Sequence, residues 1–548
     1  MPHENVNNHK FDCCCCLLTL LVTIIRFIMD GRIIYLSLGD ESIREERVQA
    51  LDVSSLYALA DDAAFIFVFY PSGGTLAIYK SRQNRKIARD SANSRLAAKL
   101  SAMGICALVV NGSAHKLSYL YVSDDDLSLY HCENIRFSSP QRFFQVLSSD
   151  EADGFIAIGE AGERQSPVAA CCCDSTLAIG RGGLAAMMGS ANFKGLICHS
   201  TKAVMAEKDR RGLRSELEKN ISLYGSAALV DTGLENGWMA VKHYQGYYDP
   251  RISSLNGKMA CRSFNVEHTG CPGCALSCQL EDRDSGRILP SWHEAMALGS
   301  NLGIFSLSKV AVLKDCCMQY GLDCVDTGEI LSYLRTQTDL PYTYPQLADA
   351  GIDEICRTIG QIGARKGSGE LVSAGLSALP EAPGISSRSC AYDLRGAHCQ
   401  AVFSMLGENS PCFADLVYNF RKHLDSELTG RLAAWLRIYT HALENRGISP
   451  VSLVRGFFNP GLLFLVRTPA SLRLFAKGRQ KRDTALIREG YESVSAFSRL
   501  FGSFEALPDL FLSPGCVGYT PEVNVTKLML GYDEELEYIR KKYCAEAT

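Results

Sequence analysis

Several features that would assign a chain of 548 residues to a large functional class are missing here. There is no basic stripe and no interleaving of aromatic with basic residues, and the formal net charge is −4, so nothing favours a nucleic-acid partner. No internal repeat and no long low-complexity linker is visible, which argues against a solenoid or a tethered array. Long apolar runs are scarce. Cys13 to Ile25 is apolar but ends at Arg26, too short for a comfortable membrane span. No clearly basic region precedes it and no small-x-small cleavage site follows it, so a signal peptide is not supported and only a short anchor stays open. Met29-Asp-Gly-Arg-Ile-Ile-Tyr-Leu reads as a domain beginning, which leaves residues 1–28 as an N-terminal extension.

Cysteine is abundant, with 23 in the chain, yet the even spacing of a small disulfide scaffold is absent. The cysteines clump at Cys13 to Cys16, at Cys171 to Cys173 and at Cys316–Cys317, which fits a reducing, cytoplasmic and oxygen-poor setting. One group has a spacing that carries chemistry. In Thr269-Gly-Cys-Pro-Gly-Cys-Ala-Leu-Ser-Cys278, the residues Cys271, Cys274 and Cys278 stand as C-x2-C-x3-C, so three thiolates can converge on one inorganic centre. Iron–sulfur clusters and zinc both take soft thiolate ligands. Gly270, Pro272 and Gly273 make a tight turn that keeps backbone bulk away from a cluster. No second two-ligand knuckle completes a structural zinc site, so an iron–sulfur cluster is the leading reading, with zinc or unrelated buried thiols as alternatives.

Three other stretches are candidates for a site. Gly180-Arg-Gly-Gly-Leu184 puts Arg181 among Gly182, Gly183 and Gly180, a backbone that can approach a ligand closely and a guanidinium that can grip phosphate. The same pattern also describes a glycine turn packed beneath a helix. Pro290 to Asn301 places His293 and Glu294 at a helix start, as acid–base groups or simply as an acidic first turn. Tyr320 to Gly328 offers Asp323, Thr327 and Gly328 to a polar ligand, or makes a helix–turn–helix joint capped by Asp326.

Periodicity divides the chain. From Met29 to about Ala206 short β-branched and aromatic runs predict strands at Arg32 to Leu38, Ala64 to Tyr70, Thr75 to Tyr79, Ala107 to Val110, Leu117 to Val122 and Phe155 to Ile158, with a helix over Ser91 to Met103. Beyond Ala206 helical periodicity takes over, at Leu213 to Tyr224, Glu294 to Leu302, Lys309 to Tyr320, Gly328 to Leu334 and Arg421 to Leu443. The expected class is α+β: a β-rich domain over 29–206, a helical domain with the cysteine motif over 207–385, and a C-terminal helical domain over 386–548. The Gly367 to Ser389 stretch supplies the break between the helical parts.

Taken in this order, the stretches Gly180 to Lys194, Cys271 to Cys278, Ala297 to Gly303 and Gly321 to Gly328 resemble the tungsten-containing aldehyde:ferredoxin oxidoreductases. Weaker echoes are Tyr392-Asp-Leu-Arg-Gly396 and Ala442 to Ser449. The resemblance implies a β-rich base carrying a bis-pterin cofactor with tungsten or molybdenum, and helical domains closing over it. It also implies a nearby [4Fe-4S] cluster that passes electrons to ferredoxin or another electron-transfer protein, a small aldehyde-like substrate, and a homodimer. On the matching positions, Cys271, Cys274 and Cys278 become cluster ligands, Arg181, Gly182, Gly183 and Leu184 the pterin-phosphate loop, and Asp323, Thr327 and Gly328 the first pterin segment.

The departures are specific. Glu444-Asn-Arg-Gly-Ile-Ser449 ends in Ser449 where the family has its fourth cluster cysteine, with Cys412 or Cys516 as substitutes. His293 stands at the catalytic glutamate position, with Glu294 next to it. Phe413 replaces a histidine near the metal and Asn409 an arginine on the pterin. The N-terminal domain has no obvious Thr-Gly-Gly run, and no E-x-x-H occurs, so a dimer-bridging iron site is unsupported. Two functions follow: an oxidoreductase with altered acid–base residues, in which His293 faces the cofactor cavity, or a silent paralogue acting as an electron-transfer or partner subunit.

Overall fold

Alternation at period two builds the first half of the molecule. A computed structural model describes residues 31–49, 51–60, 65–71, 73–81, 86–150, 153–174, 176–202, 216–246, 248–270, 276–379, 394, 396–406, 408, 425–445, 468–477, 484–501 and 524–544. Its first six strands are β1 (Gly31–Ser37), β2 (Ser42–Val48), β3 (Phe65–Phe69), β4 (Gly74–Lys80), β5 (Ile87–Asn93) and β6 (Ile105–Asn111). The next six are β7 (Ser118–Val122), β8 (Leu127–His131), β9 (Gly154–Ile158), β10 (Cys171–Cys173), β11 (Thr176–Ile179) and β12 (Phe193–Cys198).

They form two six-stranded sheets, in the orders β2-β1-β6-β3-β4-β5 and β8-β7-β12-β9-β10-β11. The second order is the first with six added to every strand number. Each sheet has one parallel pair, β1 with β6 and β7 with β12, among antiparallel neighbours. Each also has a helix between its fifth and sixth strands, Arg95–Ala102 in the first and Leu184–Ser190 in the second. The connectivity is therefore duplicated, although the sequence shows no repeat. Fold topology is set by where apolar alternation and turns fall, and that pattern survives the loss of residue identity.

Both faces of the first sheet are buried. Phe65, Phe67 and Phe69 point to the side shared with Leu96 and Phe193. Ile66 and Val68 point to the side covered by Leu56 and Tyr57 of the Val53–Leu59 helix and by Phe497 of the Thr484–Phe501 helix. Each such ring or branched side chain taken out of water contributes about 1.5–3 kcal/mol. Phe497 thus ties the C-terminal helices to the first sheet. The cysteine clump at Cys171 to Cys173 is β10 itself: Cys171 and Cys173 join one core cluster and Cys172 another. These thiols act as small apolar core residues, and burial pushes all three upward in pKa.

The helical second half follows the predicted periodicity with corrected ends. The expected helices appear as Glu216–Tyr224, Leu307–Tyr320, Cys324–Thr336 and Ser426–Asn445. The Ser91 to Met103 helix starts later than expected, because Ser91 to Asn93 finish β5 and Ser94 caps the helix by accepting from Ala97 N–H. Glu294 to Leu302 is not one α-helix: a short turn at Trp292–Glu294 passes through a π segment, Ala295–Gly299, into a 3-10 turn, Ser300–Leu302. A small third sheet, β13 (Val266–Thr269), β14 (Gln279–Asp282) and β15 (Arg287–Ile288), interrupts the helical region. Its strands are four residues or fewer and mostly polar, too short to register as alternation.

Candidate cofactor site

The second sheet delivers the glycine loop. β11 ends at Ile179, and Gly180, Gly182 and Gly183 turn the chain with φ of 104°, 108° and 102°. A side chain is strained at such angles. Space above Gly183 is open, with nothing within 4 Å of where a Cβ would stand. The loop is held from the first sheet. Tyr79 Oη donates to Arg181 O at 2.6 Å, and Ser81 Oγ donates to Gly182 O at 2.9 Å. Asp90 Oδ2 accepts from Gly180 N–H at 3.0 Å and Arg181 N–H at 3.3 Å. Two of the loop's amides are therefore already engaged by a protein carboxylate. Leu184 is fully buried and opens the following helix.

The guanidinium leads to the first helical joint. Gly321, in the left-handed region at φ 69°, ends the Leu307–Tyr320 helix, and Asp323 begins the next. Asp323 Oδ1 accepts from Val325 N–H at 2.8 Å and Asp326 N–H at 2.9 Å, so the cap is Asp323 and not Asp326. Its other oxygen, Oδ2, lies 3.4 Å from Arg181 Nε. One turn further, Thr327 is fully buried and its Oγ1 has no protein hydrogen-bond partner. Gly328 has a packing explanation: a Cβ there would sit 2.5 Å from Ala297 O, so its small size lets the helix close on the π segment.

His293 and Glu294 separate in role. Glu294 is buried, its Oε2 accepting from Ser291 N–H at 2.6 Å and from Lys314 Nζ at 3.1 Å. The Lys314 ammonium and these hydrogen bonds outweigh desolvation and hold its pKa below the ordinary glutamate value. His293 keeps part of its surface accessible, yet desolvation and the Arg181 guanidinium lower its imidazole pKa to about 4.

The first sheet supplies a counterpart to Arg181. Arg89, on β5, makes a buried ion pair with Glu444, near the end of the Ser426–Asn445 helix, and Ser91 Oγ donates to the same carboxylate at 3.2 Å. Beyond it Glu408 accepts from Arg437 Nη2 at 2.6 Å and lies 3.1 Å from His441 Nε2, all three buried. The two arginines differ in place: Arg89 is the third of the seven residues of β5, whereas Arg181 lies two residues beyond the end of β11. Each meets a carboxylate at a helix terminus: Asp323 at a start, Glu444 at an end. Sequence reasoning missed Tyr79, Ser81, Arg89, Asp90 and Lys314. The available signal was the charged pair Arg89–Asp90 directly after the apolar Ile87–Ala88, and all four of these residues are buried.

In sequence, the cysteine motif connects β13 to β14. Thr269 pairs with Gln279, Gly270 packs against Ser277, and the carbonyl of Cys278 accepts from Ser226 N–H at 2.8 Å. Pairing at this neck holds the two ends of the motif together. Cys278 is half-buried, whereas Cys271 and Cys274 lie outside the described residues, as do Asn409, Cys412, Phe413, Ser449 and Cys516. Among the described residues no group of three or more His, Cys, Asp or Glu side chains could hold a metal ion.

Comparison with known proteins agrees with this architecture. The description "Aldehyde ferredoxin oxidoreductase, N-terminal domain" matches residues 45–200, and "Aldehyde ferredoxin oxidoreductase, domains 2 & 3" matches residues 204–404. The chain belongs to the aldehyde ferredoxin oxidoreductase family. It is 28% identical over 361 residues to the tungsten-containing aldehyde ferredoxin oxidoreductase of Pyrococcus furiosus, and 26% identical over 370 residues to that of Pyrococcus horikoshii. Each match spans 60% of this chain and 60% of the relative, so the chain covers less than two thirds of either. The fold resembles a solved structure described as the active site complex BamBC of benzoyl coenzyme A reductase in complex with 1,5 dienoyl-CoA. The TM-score is 0.61 at 13% identity, over 93% of this chain and 98% of that one.

Proposed function

We propose that this protein is an oxidoreductase that oxidises an aldehyde or a related small substrate at a tungsten or molybdenum bis-pterin centre. Electrons then leave through a [4Fe-4S] cluster to ferredoxin or a similar carrier. The observation that carries the reading is the duplicated base. Two like sheets each present an arginine, Arg181 just after β11 and Arg89 within β5, beside a carboxylate at a helix terminus. A cofactor built of two like halves suits such a frame. The open space over Gly183 and the unpartnered, buried Thr327 Oγ1 suit a polar group lying between the loop and the helix.

When bound, the metal would accept the pair of electrons removed as an aldehyde and water become a carboxylate, with protons released. The chain's own part is positional and acid–base. Arg181 would grip a pterin phosphate, with Asp323 as its partner in the free site and Asp90 holding the loop. Thr327 Oγ1 would hydrogen-bond the pterin. Neutral His293 would take a proton onto its unprotonated ring nitrogen, and Glu294, engaged by Lys314, would hold the turn that carries it. Cys271, Cys274 and Cys278 would ligate the cluster, with Ser449, Cys412 or Cys516 completing it.

One observation favours the second reading, a silent partner subunit. Glu444 stands in the stretch that resembles the family's second pterin segment, and its carboxylate is engaged by Arg89 and Ser91. Metal and pterin analysis of protein made anaerobically with tungstate and molybdate separates the two. Metal with pterin, and aldehyde-dependent reduction of a viologen dye, are expected; iron without pterin would leave the partner-subunit reading.

A further inference from the structure

Two cysteines outside this site face each other across a helix seam. The Leu307–Tyr320 and Ile352–Ala364 helices pack together, closest where Tyr320 meets two glycines. A Cβ on Gly360 would stand 3.0 Å from Tyr320 Oη, and one on Gly363 would stand 2.4 Å from Tyr320 Cβ. Cys316 is one helical turn before Tyr320, and Cys356 one turn before Gly360, so each lies on the face its helix turns to this seam. The Tyr320 side chain runs from Gly363 at its Cβ to Gly360 at its Oη, and a helical side chain leans toward its own N-terminus, so the two helices run the same way and Cys316 and Cys356, one turn back on each, come to adjacent places on the seam. Both are free and half-buried. Their neighbour Cys317 is fully buried and its thiol contacts Cys324 of the next helix, so it belongs to a different seam.

We propose that Cys316 and Cys356 form a reversible dithiol–disulfide site that closes by exchange with a low-molecular-weight disulfide. Burial raises both thiols, and the neighbouring thiol opposes that rise at Cys356 and adds to it at Cys316. Cys356 is therefore the attacking sulfur. Its thiolate attacks one sulfur of the small disulfide, forming a mixed disulfide and releasing one small thiol. Cys316 then gives up its proton, attacks the Cys356 sulfur and releases the second. Two protein thiols are oxidised and one small disulfide is reduced to two thiols. Closure would tie down the helix whose Lys314, two residues before Cys316, holds Glu294 beside His293.

The test uses the full chain, purified anaerobically and reduced, then incubated with glutathione disulfide, quenched in acid, alkylated with N-ethylmaleimide and mapped by mass spectrometry. Alkylation at positions 316 and 356 should be lost together, with a linked peptide pair that dithiothreitol reopens. Cys316→Ser should leave a glutathione adduct on Cys356, and Cys317→Ser should close as the parent does. Full alkylation of Cys356 while other thiols of the chain oxidise would overturn the proposal, as would linkage of Cys356 to Cys317 instead. Neither readout requires tungsten, pterin or the cluster.

Discussion

Arg181 and Asp323 are 142 residues apart in sequence, and the guanidinium Nε of one lies 3.4 Å from a carboxylate oxygen of the other. The pair joins the loop after β11 to the start of the Cys324–Thr336 helix, so a ligand phosphate at Arg181 would meet a cation already placed. Arg181→Ala should lower pterin occupancy by the loss of a charge-assisted contact, about 1.5–3 kcal/mol. The β-rich domain should stay folded, since the loop is held by Tyr79, Ser81 and Asp90. Pterin released on denaturation, read by fluorescence after oxidation, measures this; unchanged occupancy in the variant removes Arg181 from the site.

The cysteine motif makes a separate prediction. Cys274→Ala or Cys278→Ala should lose iron and acid-labile sulfide, because each removes one of the three thiolates that would hold the cluster. The comparison is with anaerobically purified parent protein. Full iron retention in either variant would sink the cluster assignment.

Lys314 and Glu294 are both buried, and their ammonium and carboxylate lie 3.1 Å apart. Lys314→Met would strand a buried carboxylate, and breaking such a pair from one side typically costs about 3–5 kcal/mol. Glu294→Gln together with Lys314→Met should recover most of that loss. Urea titration of the single and double variants checks it; a double variant no more stable than Lys314→Met alone would show that the charge is not the cause.

Much of this was legible in the sequence because the signals are local. Phe65 to Phe69 and Gly154 to Ile158 alternate apolar residues between two buried faces, and the joint between the helices falls at Gly321, in the stretch Tyr320 to Gly328 that reads as one, although its cap is Asp323 and not Asp326. What was not legible depends on distant partners. Ser42 to Val48 is charged and exposed, so β2 shows no apolar alternation, and it is a strand because β1 pairs with it. Asp90 reads as a surface aspartate until the Gly180 and Arg181 amides are seen against it. The sheet duplication is likewise a relation between topologies, with no residue pattern to reveal it.

Acid should destabilise the fold through its buried histidines. Burial lowers His243 to a pKa of about 4 and is the largest cause lowering His441 to about 3, against an ordinary value of 6.5. Between those values the unfolded chain binds protons that the folded chain does not, so stability falls as pH drops from about 6.5. Glu408 acts in the same direction at lower pH: against desolvation, the Arg437 guanidinium and the hydrogen bonds from Arg437 and His441 hold its pKa well below the ordinary 4.5, so its contribution is also lost on acidification. Melting temperature should fall between pH 7 and pH 5, and less so in His243→Gln, which keeps a polar group against Ser332. A melting temperature flat across that range would contradict neutral burial of these rings.

His293 carries the most exposed chemical claim. A base that must act near neutrality is useful only if unprotonated there, and desolvation together with Arg181 lowers its pKa to about 4. The ring is therefore neutral throughout pH 5–8, and its acidic limb should lie near pH 4, well below the 6.5 of a free imidazole. Removing the Arg181 charge should move that limb upward, because one of the two causes is gone. His293→Ala should lower turnover by about 100-fold or more, the usual range for losing a general acid–base group, while iron and pterin content stay intact. Glu294→Gln should act mainly on stability, since Lys314 and the Ser291 amide already engage its carboxylate. The decisive comparison is the pH profile of kcat for the parent, Arg181→Gln and His293→Ala on one aldehyde. Full oxidation by His293→Ala, or a profile identical in all three, would move the proton chemistry to another residue.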